Sequence, residues 1–305
     1  MPVVLRGRCC KACACHASSG SEDVDCMKWT EEADKAMKKV PFFVRKRVRA
    51  RVEEEAKEAG VAEISLREVN RTRARFLNKM EEEVAGFQVE ACFGDGGCPR
   101  KANGSGSLQK RVTELLESED IRGFLKKTVK GELKFHHELR VAFADCPNAC
   151  SQPQIRAICI IGAVVPETTD APCTQCGACV SSCAEHAVTL SDEGPAIDVE
   201  TCLVCGRCAK ACETGTLAGV RKGYRVLLGG RLGRHPRLAM ELPGIYDEET
   251  TYDIVRHCVT FYKARSTHGE RFSHLFTEED YHDVAVQFRS RSLINMDGSI
   301  KKQDV

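Results

Sequence analysis

Cysteine is the residue whose spacing promises chemistry in this 305-residue chain, because twelve of its 19 cysteines fall into three ordered quartets. One quartet is split: Cys92-x5-Cys98, then after a long gap Cys146-x3-Cys150 inside FADCPNACSQPQ. The other two are compact runs of identical spacing, Cys173-x2-Cys176-x2-Cys179-x3-Cys183 and Cys202-x2-Cys205-x2-Cys208-x3-Cys212. Four thiolates are what a cubane [4Fe–4S] cluster needs, and the x2-x2-x3 run is a spacing that delivers them. A zinc ion also takes four thiolates but seldom uses that run. Disulfides would suit a secreted scaffold, yet closely spaced thiols are placed for one metal cluster to gather.

The remaining cysteines carry less. Cys10, Cys13, Cys15 and Cys26, with Cys9 and His16 spare, form a further candidate site for a metal or a cluster, an unliganded tail being the equal alternative. Cys159 lies in an apolar stretch and Cys258 in a helical one, and both read as packing thiols.

The elements that must position these residues are partly legible. Thr30 is a plausible N-cap ahead of Glu31 and Glu32, Pro41 interrupts, and FFVRKRVRARVEEEAKEAG continues as a charged helix ending near Gly60. Ser65-Leu66-Arg67-Glu68 reads as a capping box opening a third helix through about Met80. From Gly86 the pattern turns to short apolar strands, glycine-rich turns and helices, with Asn103 to Ser107 as a loop. A strand is expected over Glu132 to Ala144, delivering Cys146 just past its end; on it the adjacent His136 and His137 would point opposite ways. A buried strand is expected over Ile155 to Val165, a linker over Pro166 to Asp170, a strand over Gly223 to Leu228 and a helix over Glu248 to Lys263.

Three segments resemble known families. The two compact runs are similar to two-cluster ferredoxins, although Ala184 and Glu213 stand where those runs usually carry proline. In such ferredoxins the fourth cysteine of each run ligates the other cluster, which implies sets of Cys173, Cys176, Cys179, Cys212 and of Cys202, Cys205, Cys208, Cys183. The split quartet, with LKFHHELRVAFADCPNACSQPQIRAICIIGA, GYRVLLGGRLGRHPRLA and THGERFSHLF, resembles the C-terminal half of the sirohaem-dependent sulfite and nitrite reductases. That resemblance implies a third cluster on Cys92, Cys98, Cys146 and Cys150, with Cys150 bridging to sirohaem iron. It also implies a cationic pocket for the sirohaem carboxylates, for which Arg140, Arg231, Arg234, His235 and Arg237 are candidates. Residues 29 to about 77 resemble the small C-terminal helical domain of the light-independent protochlorophyllide reductase B subunit, through KWTEEA, KKVPFFVRKRVR and EAGVAEISLREV.

The expected fold is α+β: a cysteine-rich tail (1–28), a helical domain (29–80), a sirohaem-reductase-like domain (84–165 and 218–305), and an inserted two-cluster ferredoxin domain (166–217). The implied function is a reductase of the sulfite/nitrite class, carrying out six-electron reduction of a small oxyanion with electrons relayed through three [4Fe–4S] clusters to sirohaem. The competing readings are an electron-transfer protein without a catalytic haem and a tetrapyrrole-binding carrier or processing protein. A redox partner donating electrons is implied. In larger family members an N-terminal half supplies much of the substrate cage. Here that half is missing or replaced, so Arg100, Lys101, Lys126, Lys127, Lys134 and the Arg45 to Arg51 helix are unassigned contributors, and a homo-oligomer is one way to complete the pocket. With a formal net charge of +1 there is no global basic field for nucleic acid. The longest apolar run is too short to span a bilayer and no secretory signal is visible, so a cytoplasmic protein in a reducing, anaerobic cell interior is expected.

Overall fold

The structure, a computed structural model, describes residues 27–294. Its described residues divide into two compact units, with the boundary in the chain between Phe76 and Leu77. The N-terminal Cys10, Cys13, Cys15 and Cys26 lie outside the described residues.

The first unit pairs two short parallel strands, β1 (Lys28–Trp29) and β2 (Glu63–Ile64), and carries helices α1 (Glu31–Lys38) and α2 (Phe42–Glu58). Helix α3 (Leu66–Glu83) begins in this unit. Thr30 caps α1 by accepting from the Ala33 N–H at 3.3 Å. At the start of α3 the Glu68 carboxylate accepts from the Ser65 N–H at 2.9 Å while Ser65 Oγ accepts from the Arg67 N–H. Each cap satisfies an orphan helix-end donor, an effect worth about 1 kcal/mol. A small core of Ala33, Met37, Val52, Ala56 and Ile64 closes the unit.

The second unit is built on a five-stranded mixed sheet. Its elements in chain order are β3 (Phe87–Ala91), α4 (Gly106–Ser118), α5 (Ile121–Thr128), β4 (Leu139–Ala144), β5 (Ile158–Thr168), α6 (Ala178–Ser182), β6 (Val188–Ser191), β7 (Gly194–Ile197), α7 (Arg207–Ala211), β8 (Leu217–Leu228), β9 (Met240–Glu241), α8 (Glu248–Arg265), α9 (Phe272–Leu275) and α10 (Glu278–Phe288). The strand order is β3-β4-β5-β8-β9, with β3, β4 and β5 parallel and β8 antiparallel to both neighbours. Strand β4 alternates by face. Leu139, Val141 and Phe143 join a core with α4, α5 and α8 through Leu108, Leu116, Leu125, Val255 and Tyr262. Ala144 faces the other way, toward Cys159, Ile161, Leu227 and Ala239. Burial on both faces explains the near-continuous apolar run of β5. Each large side chain so buried contributes about 1.5–3 kcal/mol.

Two sequence expectations need correction. The strand expected from Glu132 starts only at Leu139, because Phe135–His137 form a 3-10 turn closed by the His137 N–H on the Lys134 carbonyl at 2.9 Å. His136 and His137 are therefore not alternating strand residues. The linker expected at Pro166 is instead strand: β5 runs on to Thr168 against β8, and a register shift between Val165 and Pro166 accommodates the residue that lacks an N–H. Beyond the Asn103–Ser107 loop, helices α4 and α5 occupy the stretch before β4. Leu108, Val112, Leu115 and Leu116 form the buried stripe of α4.

Candidate metal centre

Parallel pairing of β3 with β4 brings their C-terminal ends side by side, in register at Ala91 and Phe143. Cys92 and Cys146 follow directly, at the same edge of the sheet. The Cys92 N–H continues the ladder onto the Phe143 carbonyl at 3.1 Å, and the Asp145 N–H donates to Cys92 Sγ at 3.3 Å. Cys98 returns to this edge through a 3-10 turn, Gly94–Gly96, with Gly97 at φ +101°. Gly94 lies so close to the Asp145 carboxylate that a Cβ there would collide with it. The second half of the quartet is a tight turn with Ala149 and Gln152, both left-handed at φ 51°, on either side of Cys150. Non-glycine residues in that region cost roughly 1–3 kcal/mol each and mark functional sites. Asn148 Nδ2 donates to Cys150 Sγ at 2.9 Å.

Burial pushes the Cys146 thiol up from its ordinary value, and the neighbouring Cys92, Cys150 and Cys98 push it further. All four thiols thus share one neighbourhood, where their thiolates need a cation's compensation. Cys150 is the exposed member; the other three are half-buried.

The two compact runs fold identically at an offset of 29 positions, Cys173 to Cys202. Gln175 (φ 60°) matches Val204 (φ 49°), Gly177 (φ 70°) matches Gly206 (φ 68°), and α6 matches α7. The Gln175 N–H donates to Cys173 Sγ and the Val204 N–H to Cys202 Sγ, each at 3.4 Å. The Ala187 N–H donates to Cys183 Sγ and the Leu217 N–H to Cys212 Sγ, each at 3.3 Å. Backbone N–H donors on sulfur stabilise thiolate and tune a cluster's potential. Burial raises Cys202, and raises Cys208 to about 11, with Cys183 among the thiols adding to both shifts. Cys183 thus lies near Cys202, Cys205 and Cys208, and lines a cavity with all three. Cys212 is held low by the Leu217 N–H. Among the described residues, no three His, Cys, Asp or Glu side chains are gathered tightly enough for a single metal ion.

The candidate cationic residues part company. Arg140 and Arg231 line a cleft of about 160 Å³ at the N-terminal edge of β4 and β5, joined there by Arg156, Arg271, His136 and His274. That edge lies about 16 Å from the Cys146 end, five residue steps of about 3.3 Å along β4. The segment after Cys150 runs back from one edge to the other. Arg237 does not open into the cleft: its guanidinium donates to the carbonyls of Gly229 (2.9 Å), Ser273 (3.2 Å) and Phe276 (2.9 Å). Arg231 gives Nε to the His235 carbonyl and Nη1 to that of Ser273. Arg234 and His235 are exposed on the same loop. Burial, then the surrounding arginines, hold His136 and His274 below the usual imidazole range, so the cleft's imidazoles favour the neutral form. Burial pushes the Glu138 carboxyl up, beside the same cleft. Arg156, Arg271 and Glu138 do not stand out in the sequence, where only their proximity in the fold could mark them.

No helix among the described residues is long and apolar enough to cross a membrane. A family profile described as the nitrite and sulphite reductase 4Fe-4S domain matches residues 88–290, and one described as the proto-chlorophyllide reductase 57 kD subunit matches residues 29–73. The chain is 28% identical over 144 residues to the coenzyme F420-dependent sulfite reductase of Methanocaldococcus jannaschii, covering 47% of this chain and 21% of that protein. It is 53% identical over 45 residues to the light-independent protochlorophyllide reductase B subunit of Prosthecochloris aestuarii, covering 15% and 8%. It thus spans about a fifth or less of the length of these curated relatives. Among solved structures it is similar to dissimilatory sulfite reductase I (TM-score 0.46, 12% identity, 76% of this chain and 60% of that one). It is also similar to NirA of Mycobacterium tuberculosis (TM-score 0.35, 19% identity, 63% and 26%).

Proposed function

Because the chain belongs to the nitrite and sulphite reductase 4Fe-4S domain family, we propose that it is a sirohaem- and iron–sulfur-dependent reductase of a small oxyanion, sulfite or nitrite. Sirohaem bound here would supply an iron site for six-electron reduction of the oxyanion, and the clusters would supply single electrons from a redox partner. Cys92, Cys98, Cys146 and Cys150 hold the first cluster, while Cys173, Cys176, Cys179 and Cys212 hold the second. Cys202, Cys205, Cys208 and Cys183 hold the third, within an inserted ferredoxin-like domain.

The observation that carries the haem assignment is the exposure of Cys150. Alone in its quartet it is exposed, and its Sγ accepts from Asn148 Nδ2 at 2.9 Å. A thiolate that would serve both a cluster and a second iron has to be accessible from outside the quartet. The cleft adds Arg140 and Arg271 as cationic groups suited to carboxylates, whereas Arg156 is already forked onto Glu90 and Arg231 onto the carbonyls of His235 and Ser273.

Anaerobic purification from a host able to make sirohaem, followed by acid–acetone extraction, tests this reading. A sirohaem spectrum in the extract, with sulfite or nitrite turnover, supports it. Iron–sulfur colour with no extractable tetrapyrrole would make the chain an electron carrier instead.

A further inference from the structure

Val164, on β5, is the point where the second cysteine run is fastened to the sheet. Its N–H donates to the Val204 carbonyl at 2.7 Å, and it pairs with Cys205 as a parallel bridge. Its side chain is enclosed by residues that leave room for it. A Cβ on Gly206 would stand 2.7 Å from Val164 Cβ, and one on Gly219 would stand 2.8 Å from Val164 Cγ1 and 3.8 Å from Ala209 Cβ. Next to this contact, Lys210 Nζ donates to the Lys101 carbonyl, three residues beyond Cys98. Val204 also packs with Ala163, Val165 and Ile245.

Two cavities form where this run meets the split quartet. One, of about 270 Å³, is bordered by Cys146 and Asn148 on one side and by Cys183, Cys202, Cys205 and Cys208 on the other. The second, of about 500 Å³, is bordered by Cys98 together with Val164, Gly206 and Ala209. Neither is lined by Cys173, Cys176, Cys179 or Cys212, and Cys176 is exposed.

We infer that Val164, with Gly206, Gly219 and Ala209 around it, is a seat that fixes the Cys183–Cys202–Cys205–Cys208 set, and not the Cys173–Cys176–Cys179–Cys212 set, against the first quartet. The inference rests on the reading that these sets hold clusters, and it gives them an order: the Cys173 set is the outer one. The four seat residues are positioning residues. They carry no thiol and act by setting how closely two thiol sets approach.

Electron paramagnetic resonance of the full chain, loaded with its clusters and reduced anaerobically with dithionite, tests the order. Wild type is expected to show a spin–spin interaction involving the cluster of the first quartet; Cys173→Ser keeps that interaction and Cys202→Ser loses it. Gly219→Ala, which keeps every thiol, is expected to weaken the interaction. Adding Val164→Ala restores it by removing the Cγ1 that the new Cβ meets. Loss in Cys173→Ser with retention in Cys202→Ser, or an unchanged signal in Gly219→Ala, overturns the seat while leaving the clusters in place. A wild-type protein with iron absent and no cluster signal would instead overturn the cluster reading, and the seat with it.

Discussion

The backbone N–H of Asp145 donates to Cys92 Sγ at 3.3 Å, joining the two halves of a quartet that lie 53 positions apart in sequence. Asp145 is buried, and what holds it is Ser105, whose N–H and Oγ both donate to Asp145 Oδ1, at 3.1 and 2.6 Å. The sulfur is therefore oriented by a residue that is itself oriented from the start of α4.

Ser105→Ala should consequently act at the first quartet without touching a thiol. Removing one hydroxyl leaves a buried carboxylate short of a donor, a loss of about 1–3 kcal/mol. A lower thermal midpoint is expected, together with faster iron release from the Cys92 set on titration with a chelator. Ser105→Thr keeps the hydroxyl and should behave close to wild type. Equal iron release in all three proteins would show that Asp145 needs no support from Ser105.

Iron stoichiometry separates ligands from packing thiols. If each of the three quartets holds a cubane, the chain carries about 12 irons, four each. Cys92→Ser should cost about four of them, and so should Cys202→Ser, if each disables one cluster. Cys159→Ser should cost none: Cys159 is fully buried in the sheet and gives its thiol to the Pro153 carbonyl at 2.6 Å. Colorimetric iron and sulfide determination on anaerobically purified variants is the measurement. Loss of iron from Cys159→Ser at full folding would contradict its assignment to the core.

How much of the fold and site is legible in the sequence depends on whether a feature is local. The Thr30 cap, the Ser65–Glu68 capping pair and the left-handed Gly60 are settled within a few residues, and the sequence alone points to each. The duplication is legible because cysteine spacing is itself local. What cannot be read is assembled across the chain. That Cys183 lines one cavity with Cys202, Cys205 and Cys208 is visible only in the fold. The arginine cleft takes Arg140 from β4, Arg156 from just ahead of β5 and Arg271 from beyond α8. The Phe135–His137 turn escapes because LKFHHELRVAFA has a strand's alternation, whereas the bond from the Lys134 N–H to His137 Nδ1 favours a turn. Arg237 looks like an anion ligand from its basic neighbours, and only the carbonyls of Ser273 and Phe276 reveal its other employment.

Alkaline pH should expose the buried acids. Burial pushes the Cys258 thiol up to about 12, and likewise the Tyr246 and Tyr262 hydroxyls to about 12. A folded-state pKa above the unfolded value means a contribution fully present below the unfolded pKa and lost as pH rises toward the folded one. For Cys258 that window runs from about pH 8.5 to 12, with a slope of about 1.4 kcal/mol per pH unit. For the tyrosines it opens near pH 10. The unfolding midpoint should hold level to about pH 8 and then fall, and the fall should be shallower in Cys258→Ala, which has no thiol to ionise. Parallel pH profiles for the two proteins would exclude ionisation of Cys258 as a cause.

Arg237 is the last test, because its charge and its geometry make opposite predictions. If it serves as a cation for an anionic ligand, lysine should substitute with little loss of stability. The structure instead makes it a bridge. Its Nε and Nη2 reach the Gly229 carbonyl at 3.1 and 2.9 Å, and Nη2 continues to Ser273 and Phe276. The same loop is closed by reciprocal backbone hydrogen bonds between Arg231 and Arg237, at 2.9 and 3.0 Å, so its shape depends on a planar fork that reaches several carbonyls at once. An ammonium group is a point donor and cannot span them. Arg237→Lys should therefore cost about 1.5–3 kcal/mol, the value of hydrogen bonds from a charged donor. For a unit of this size that is a fall of roughly 3–12 °C in thermal midpoint. Arg234→Lys, exposed on the same loop, should leave the midpoint unmoved. Differential scanning calorimetry on the two variants distinguishes the roles, and a midpoint unchanged in Arg237→Lys would return Arg237 to the pool of candidate anion ligands.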